Sequence, residues 1–226
     1  MTLTAFALAG VGLVLFLGAL VQRVTGMGMA LVAAPLLVLL LGATTGVQTL
    51  QVIGLFTCLA SAIVLRRDIN LRRAGALLLA AAIGLVPGVW VARTMPASWL
   101  NIMIGAITLA ALAATALLRT LTLFQGTRGV VVAGSLSGFM NVTAGIGGPP
   151  IVVYAATTGW PHREYLATMQ LYFTGLSILS LTGRGLPDLP PAGWVIAAGS
   201  ATLGLVVGNL AHHRISDTLA RRLVYV

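Results

Sequence analysis

The stretch Ala144-Gly-Ile-Gly-Gly-Pro-Pro-Ile151 interrupts a chain that is otherwise almost continuously apolar. Glycine is entropically costly inside a helix, and proline lacks the N–H group that a helix interior needs. Apolar sequence flanks the stretch on both sides, over 128–144 and 148–159. The stretch therefore predicts a break in helical structure within an apolar environment.

Composition indicates the class of protein. Of 226 residues 58% are hydrophobic and only 8% are charged, and the mean hydropathy is +1.02. A soluble domain of this size needs more charge to cover its surface, so the sequence predicts an all-α integral membrane protein with several spans. The net charge of +9 arises from arginines between apolar segments, where the positive-inside rule accounts for them. We therefore expect a lipid bilayer, and no nucleic acid, as partner.

The apolar segments fall into two sets, and the second segment of each set, 29–42 or 148–159, is too short for a comfortable span of about 20 residues. Each short segment follows a glycine cluster. No basic region precedes the first segment, which we therefore interpret as a retained helix and not as a signal peptide. The segments are 4–22, 29–42, 46–65, 74–92, 98–118, 128–144, 148–159, 165–182, 192–211 and one from 218 onward.

The two halves resemble each other at a nearly constant offset. Thr25–Met29 (TGMGM) superposes on Ala144–Gly148 (AGIGG) at an offset of 119, which also places Gln51 on Gln170. At an offset of 120, 84–88 (GLVPG) superposes on 204–208 (GLVVG). We predict a single membrane domain of two repeats, 1–118 and 119–226. No counterpart of 107–118 is present, so the last helix of the second repeat is expected to be truncated, by natural loss or otherwise.

Arginine placement predicts the orientation of the repeats. The loop 66–73 (RRDINLRR) carries four arginines and should be cytoplasmic. Counting crossings from it places 119–128, 160–164 and 212–222 on the same side, and only Arg93 and Arg184 on the other. For these loops to lie on one side, each repeat must cross the membrane an odd number of times, or cross it three times and add a re-entrant hairpin. The repeats would then be inverted, as in many secondary transporters.

The glycine motifs have two interpretations, close packing of helices or a break that forms a binding site. Pro149 suits the first turn of a new helix, whose free N–H groups and dipole would attract an anion. Each polar side chain nearby could instead form an ordinary interhelical hydrogen bond. Arg23 could bind an anion or extend to the interface. The candidate substrate-binding residues are Arg23, Thr25, Gly26, Gly28, Gln51, Asn141, Thr143, Gly145, Gly147, Gly148, Gln170 and Tyr172.

Several functional classes have no support in the sequence. No Asp or Glu falls within a predicted apolar segment, which favours an anionic substrate with loose or no ion coupling. The single Cys58 allows no disulfide framework and has no metal-ligand spacing. Because no phosphate loop or hydrolytic constellation is present either, we expect a transporter without metal or cofactor, and not an enzyme.

Two motifs resemble those of a known family. Gly26-x-Gly28 followed by Pro35, and 138–150 (GFMNVTAGIGGPP), are similar to the paired glycine motifs of the sulfite exporter TauE/SafE family. The resemblance covers nearly the whole chain. It departs from the family pattern at 26–30 (GMGMA) and at Pro149-Pro150. It implies a multi-pass protein of the bacterial inner membrane that moves sulfite, sulfonates or related organic anions.

The sequence thus favours a permease in which two inverted repeats expose an oxyanion alternately to each side. Export is the favoured direction, because an inside-negative potential contributes roughly 2.3 kcal/mol per charge per 100 mV to it. The alternatives are proton-coupled uptake of a sulfonate or carboxylate, and a non-transporting membrane scaffold. The sequence is also compatible with a homo-oligomer.

Overall fold

The computed structural model describes residues 5–25, 29–117 and 126–212. Within these ranges the chain is helical, with no strand and with one 3-10 turn at Arg66–Asp68. The predicted all-α class is confirmed. The α-helices in the described ranges are α1 (Ala5–Thr25), α2 (Met29–Leu41), α3 (Ala43–Val64), α4 (Leu71–Thr94), α5 (Ala97–Leu117), α6 (Gly126–Ala144), α7 (Gly148–Thr157), α8 (His162–Arg184) and α9 (Pro191–His212).

The predicted apolar segments correspond closely to these helices. Each of the first nine overlaps one helix, and the tenth, from residue 218, lies outside the described residues. The two short segments form the two shortest α-helices described, with 13 residues in α2 and 10 in α7. By length and composition, four described helices can cross a membrane, over Ala5–Gln22, Ala43–Val64, Leu71–Thr94 and Pro191–Leu210.

Helices α3 and α8 lie antiparallel and define the two ends of the bundle. Arg163 at the start of α8 pairs with Asp68 just after α3, with 2.9 Å between Nε and Oδ2. At the opposite end, the Gln48 side chain near the start of α3 donates to the Arg184 carbonyl. We call these the Asp68 end and the Arg184 end. The loops 66–73 and 160–164 therefore share one end, as the arginine pattern predicted.

Helices α6 and α7 form a hairpin whose two termini lie at the Asp68 end. Gly134, in the first half of α6, packs against Leu77 near the start of α4. After the turn, Gly147 lies back beside α6, and the Trp160 ring that follows α7 lies 4.8 Å from the Arg73 guanidinium carbon. The turn of this hairpin therefore lies inside the bundle, directed towards the Arg184 end.

Helices α1 and α2 form a second hairpin, which enters from the Arg184 end. Gly18 packs against Met29 at the start of α2, and Gly10 against Leu40 near its end. Helix α2 then leads into α3, whose first residue Ala43 lies within reach of the Arg184 guanidinium. The two short helices thus return to opposite ends of the bundle.

Glycines set the distance between α4 and α6, which share one of the most extensive helix contacts in the described part of the chain. A Cβ atom at Gly84 would overlap the Ser135 carbonyl oxygen, and one at Gly138 would overlap the Ala81 carbonyl. In lipid, such close backbone approach replaces the hydrophobic effect as the source of helix association. This packing positions α6, which carries several of the candidate site residues.

Candidate functional site

The break at the glycine motif is a defined helix terminus followed by a new helix. Helix α6 ends at Ala144, and Gly145 adopts a left-handed backbone with φ of 76°. The Gly145 N–H donates to the Asn141 carbonyl at 2.8 Å and the Ile146 N–H to the Met140 carbonyl at 3.4 Å. The first of these bonds is that of the αL C-cap motif, in which glycine avoids the strain that a Cβ atom would cause. Gly145 therefore ends the helix and makes the turn.

The new helix leaves two backbone N–H groups for a ligand. Helix α7 begins at Gly148, and Pro149 and Pro150 lie in its first turn, as predicted for Pro149. The first four N–H groups of a helix have no intrahelical partner, and the two prolines have none to leave unpaired. The Gly147 and Gly148 amides remain, and neither donates to a group within the described ranges. Gly147 is buried.

A buried polar cluster lies beside these amides, and we call it the Gln51 cluster: Gln51, Asn141, Ser177 and Ser180. The Gln51 side-chain amide donates to both the side-chain and the backbone carbonyl of Asn141. In return, Gln51 Oε1 accepts from Ser177 Oγ at 3.0 Å, and Asn141 Oδ1 accepts from Ser180 Oγ at 2.9 Å. The cluster joins α3, α6 and α8 at the turn of the α6–α7 hairpin.

The orientation of the Asn141 amide follows from these contacts. Because Asn141 Oδ1 accepts two hydrogen bonds, the other amide position must be nitrogen. An ideal Cβ at Gly147 would lie 3.1 Å from this nitrogen, so the amide group lies directly beside the Gly147 backbone. No acceptor among the described residues is hydrogen-bonded to Asn141 Nδ2. Three N–H donors, from Asn141, Gly147 and Gly148, therefore lie in one region.

A second chain of hydrogen bonds holds the turn from α8. The Tyr172 hydroxyl donates to Ser137 Oγ at 2.7 Å, and Ser137 Oγ donates to the Gly147 carbonyl at 2.5 Å. All three residues are buried. Tyr172, a predicted site residue, therefore acts on the break through Ser137 and Gly147. The chain also holds the Gly147 peptide in a fixed orientation.

A positive charge lies at the end of α6. Arg184 Nη1 donates to the Val142 carbonyl at 2.6 Å and to the Thr143 carbonyl at 3.2 Å, and Nη2 donates to the Ala43 carbonyl at 3.5 Å. These α6 carbonyls belong to the last turn of the helix, where a cation complements the dipole. The side chain is half-buried. Arg184 thus connects the ends of α6 and α8 with the start of α3.

The remaining predicted site residues have different surroundings. The Thr143 hydroxyl donates within α6, to the Phe139 carbonyl at 2.7 Å. Gln170 is buried on α8, but seven residues before Ser177, about 10 Å along the helix. Arg23 and Thr25 lie in the last turn of α1, where the structure describes the backbone alone. Gly26 and Gly28 lie outside the described residues. The structure thus joins Gln51 with Asn141, and it separates Gln170 from them along α8.

The sequence analysis missed Ser137, Ser177 and Ser180, and it assigned Arg184 only to a loop. A pattern in α8 could have revealed part of the cluster, because buried polar residues recur at positions 170, 174, 177 and 180. This spacing places them on one face of an otherwise apolar helix. Ser137 has no comparable pattern, because serine is common at helix contacts in membranes.

Among the comparisons with known proteins, a family model identifies this chain. Neither the curated proteins nor the solved structures include a match to the chain. The family model described as "Sulfite exporter TauE/SafE" matches residues 11–226 and so covers both hairpins and the Gln51 cluster. The chain therefore belongs to the sulfite exporter TauE/SafE family of multi-pass membrane proteins, which are transporters of small anions and not enzymes.

Proposed function

We propose that this protein exports a small sulfur-containing or organic oxyanion, such as sulfite or a sulfonate, and binds it at the α6–α7 break. One observation carries the proposal: the Gly147, Gly148 and Asn141 N–H groups lie in one polar region of the bundle, with no protein acceptor among the described residues. Donors inside an apolar bundle need a partner, and an anion supplies several acceptor oxygens at once. The α7 dipole adds positive potential at the same place.

The Gln51 cluster gives this site its rigidity. Gln51 and Ser180 occupy both acceptor positions of the Asn141 side-chain oxygen, which turns the amide nitrogen towards Gly147. Donors fixed before binding lose little entropy when the anion arrives.

We infer further that the protein works by alternating access between two inverted repeats. The hairpins α1–α2 and α6–α7, which correspond at the offset of 119, enter the bundle from opposite ends. Two glycine contacts support the correspondence. Gly84 packs against the Ser135 carbonyl, and Gly204 packs against the Phe16 carbonyl. Gly84 and Gly204 are 120 positions apart, and Phe16 and Ser135 are 119 positions apart. Contacts between α4 and α6 thus correspond to contacts between α9 and α1. Such repeats provide two similar arrangements, each open to one side.

Flux measurements with purified protein in liposomes test the proposal. Liposomes loaded with sulfite, taurine or acetate and held at an inside-negative potential should release the transported anion faster than protein-free liposomes. Asn141→Asp should abolish this release, since a carboxylate replaces the donor with a negative charge. Asn101→Ala, which alters an exposed amide on α5, is the matched control and should retain wild-type flux.

Two results would contradict transport at this site, and a third would contradict potential-driven export. Release that is equal with and without protein for every anion would leave a scaffold role. Release that continues at the wild-type rate in Asn141→Asp would place the transport path elsewhere. Release that depends on a proton gradient would favour the coupled alternative over potential-driven export.

A further inference from the structure

Arg184 has donor capacity that the protein does not use. A guanidinium carries five N–H donors. Nη1 uses both of its hydrogens on the Val142 and Thr143 carbonyls, and Nη2 uses one on the Ala43 carbonyl. The Nε hydrogen and the second Nη2 hydrogen have no acceptor in the described part of the chain. The side chain is held in place by three carbonyls and still has two donors available.

The positive charge of Arg184 also has no carboxylate partner among residues 5–25, 29–117 and 126–212. Both ion pairs found in these ranges, Arg73 with Glu164 and Arg163 with Asp68, lie at the opposite end of the bundle. The nearest acid along the chain, Asp188, is exposed and forms no ion pair within the same ranges. A half-buried charge without a counter-ion is costly, and an anionic ligand would offset that cost.

Arg184 follows the Gln51 cluster on the same face of α8. Ser180, which donates to Asn141, lies four residues before Arg184, and residues four apart are neighbours on a helix surface, with Cβ atoms about 5–6 Å apart. The α6 carbonyls that hold Arg184 belong to the two residues after Asn141. Arg184 therefore lies about one turn of α8 beyond Ser180, and its guanidinium contacts the residues that directly follow Asn141.

We propose that Arg184 is the counter-charge for the transported oxyanion and draws it between the Gln51 cluster and the Arg184 end of the bundle. This inference rests on the proposed function, and it places the positive charge of the site on α8 instead of on Arg23. Charge-assisted bonds from a guanidinium to an oxyanion are short and strong. The three carbonyls keep the group in position without neutralising it.

Binding measurements on three variants test this role. Arg184→Gln should weaken binding of sulfite to the purified full-length protein by about tenfold or more, because it removes a charged hydrogen-bond donor. Arg184→Lys keeps the charge but loses the geometry of the three carbonyl bonds, and it should bind more tightly than Arg184→Gln. Arg93→Gln, an exposed arginine at the same end, should bind like wild type.

Chemical protection gives a second readout that does not depend on a variant folding. Phenylglyoxal should modify Arg184 in the wild-type protein, and saturating sulfite should slow that modification at least about tenfold while leaving Arg93 unaffected. Unchanged sulfite affinity in Arg184→Gln, or no protection of Arg184 in a wild type that binds sulfite, would overturn this inference alone. A wild-type protein that binds neither sulfite, taurine nor acetate would overturn the proposed function and this inference with it.

Discussion

The packing of α4 against α6 yields a quantitative prediction for Gly134→Ala. An ideal Cβ at Gly134 would lie 2.5 Å from Ala80 Cβ and 2.8 Å from the Leu77 carbonyl oxygen. Carbon atoms pack at about 3.5–4.0 Å, so α4 and α6 must separate by about 1 Å at this point. Overpacking of this kind costs about 1–3 kcal/mol, and the better helix propensity of alanine recovers only about 0.5–1 kcal/mol. We expect a net loss of about 1–2 kcal/mol in the free energy of unfolding.

Gly75→Ala is the matched control, because Gly75 lies on α4 and a Cβ there would meet no atom within 4 Å. This variant should gain about 0.5–1 kcal/mol from helix propensity alone. The assay is reversible unfolding of both purified variants in mixed micelles, where the two should differ by about 2 kcal/mol. If Gly134→Ala were as stable as Gly75→Ala, α4 and α6 would not pack as closely at Gly134 as the structure indicates.

Four further predictions concern the site and the two ends of the bundle. Gln51→Leu removes three hydrogen bonds, each worth about 0.6 kcal/mol on average in membranes, so unfolding in micelles should become easier by about 2 kcal/mol and sulfite affinity should fall. Gly147→Ala would place a Cβ 3.0 Å from Asn141 Cβ, so although φ of −100° suits alanine, this overpacking should reduce flux in liposomes and cost about 1–3 kcal/mol in the free energy of unfolding. Cys58, 5% exposed, should react with a maleimide only after denaturation. Asp68→Asn should change the unfolding free energy by less than about 1 kcal/mol, because the Arg163 side chain is 84% exposed in this pair.

Local chemistry explains why the helical segments and the break could be predicted. Apolar runs in lipid must form helices to satisfy their backbone groups, so hydropathy gives their approximate limits. Gly145 can adopt the left-handed backbone that the turn needs, and Pro149 has a fixed φ and no N–H group, so the turn and the start of α7 follow from residue type. The shared end of 66–73 and 160–164 followed from arginine placement and helix counting.

The partners of polar side chains could not be predicted in the same way. Gln51 and Asn141 are 90 positions apart, and their contact depends on how α3 and α6 pack. The offset of 119 paired Gln51 with Gln170, but this correspondence in sequence does not make the two residues neighbours. In the sequence, Arg184 had no feature that distinguished it from an ordinary charged residue between two helices. Only the packing of α6 against α8 brings carbonyl groups to it.

The sequence by itself determined that this chain is a helical membrane protein, where its helices lie, and that α6 must break before Pro149. These properties depend on the hydrophobicity and backbone freedom of consecutive residues. Only the tertiary structure decided that Asn141 turns its amide towards Gly147, that Gln51 and Ser180 hold it there, and that Arg184 lies one turn away. Those relations depend on contacts between residues far apart in the chain, and in an apolar interior each polar group bonds to whichever partner the packing of the helices brings within reach.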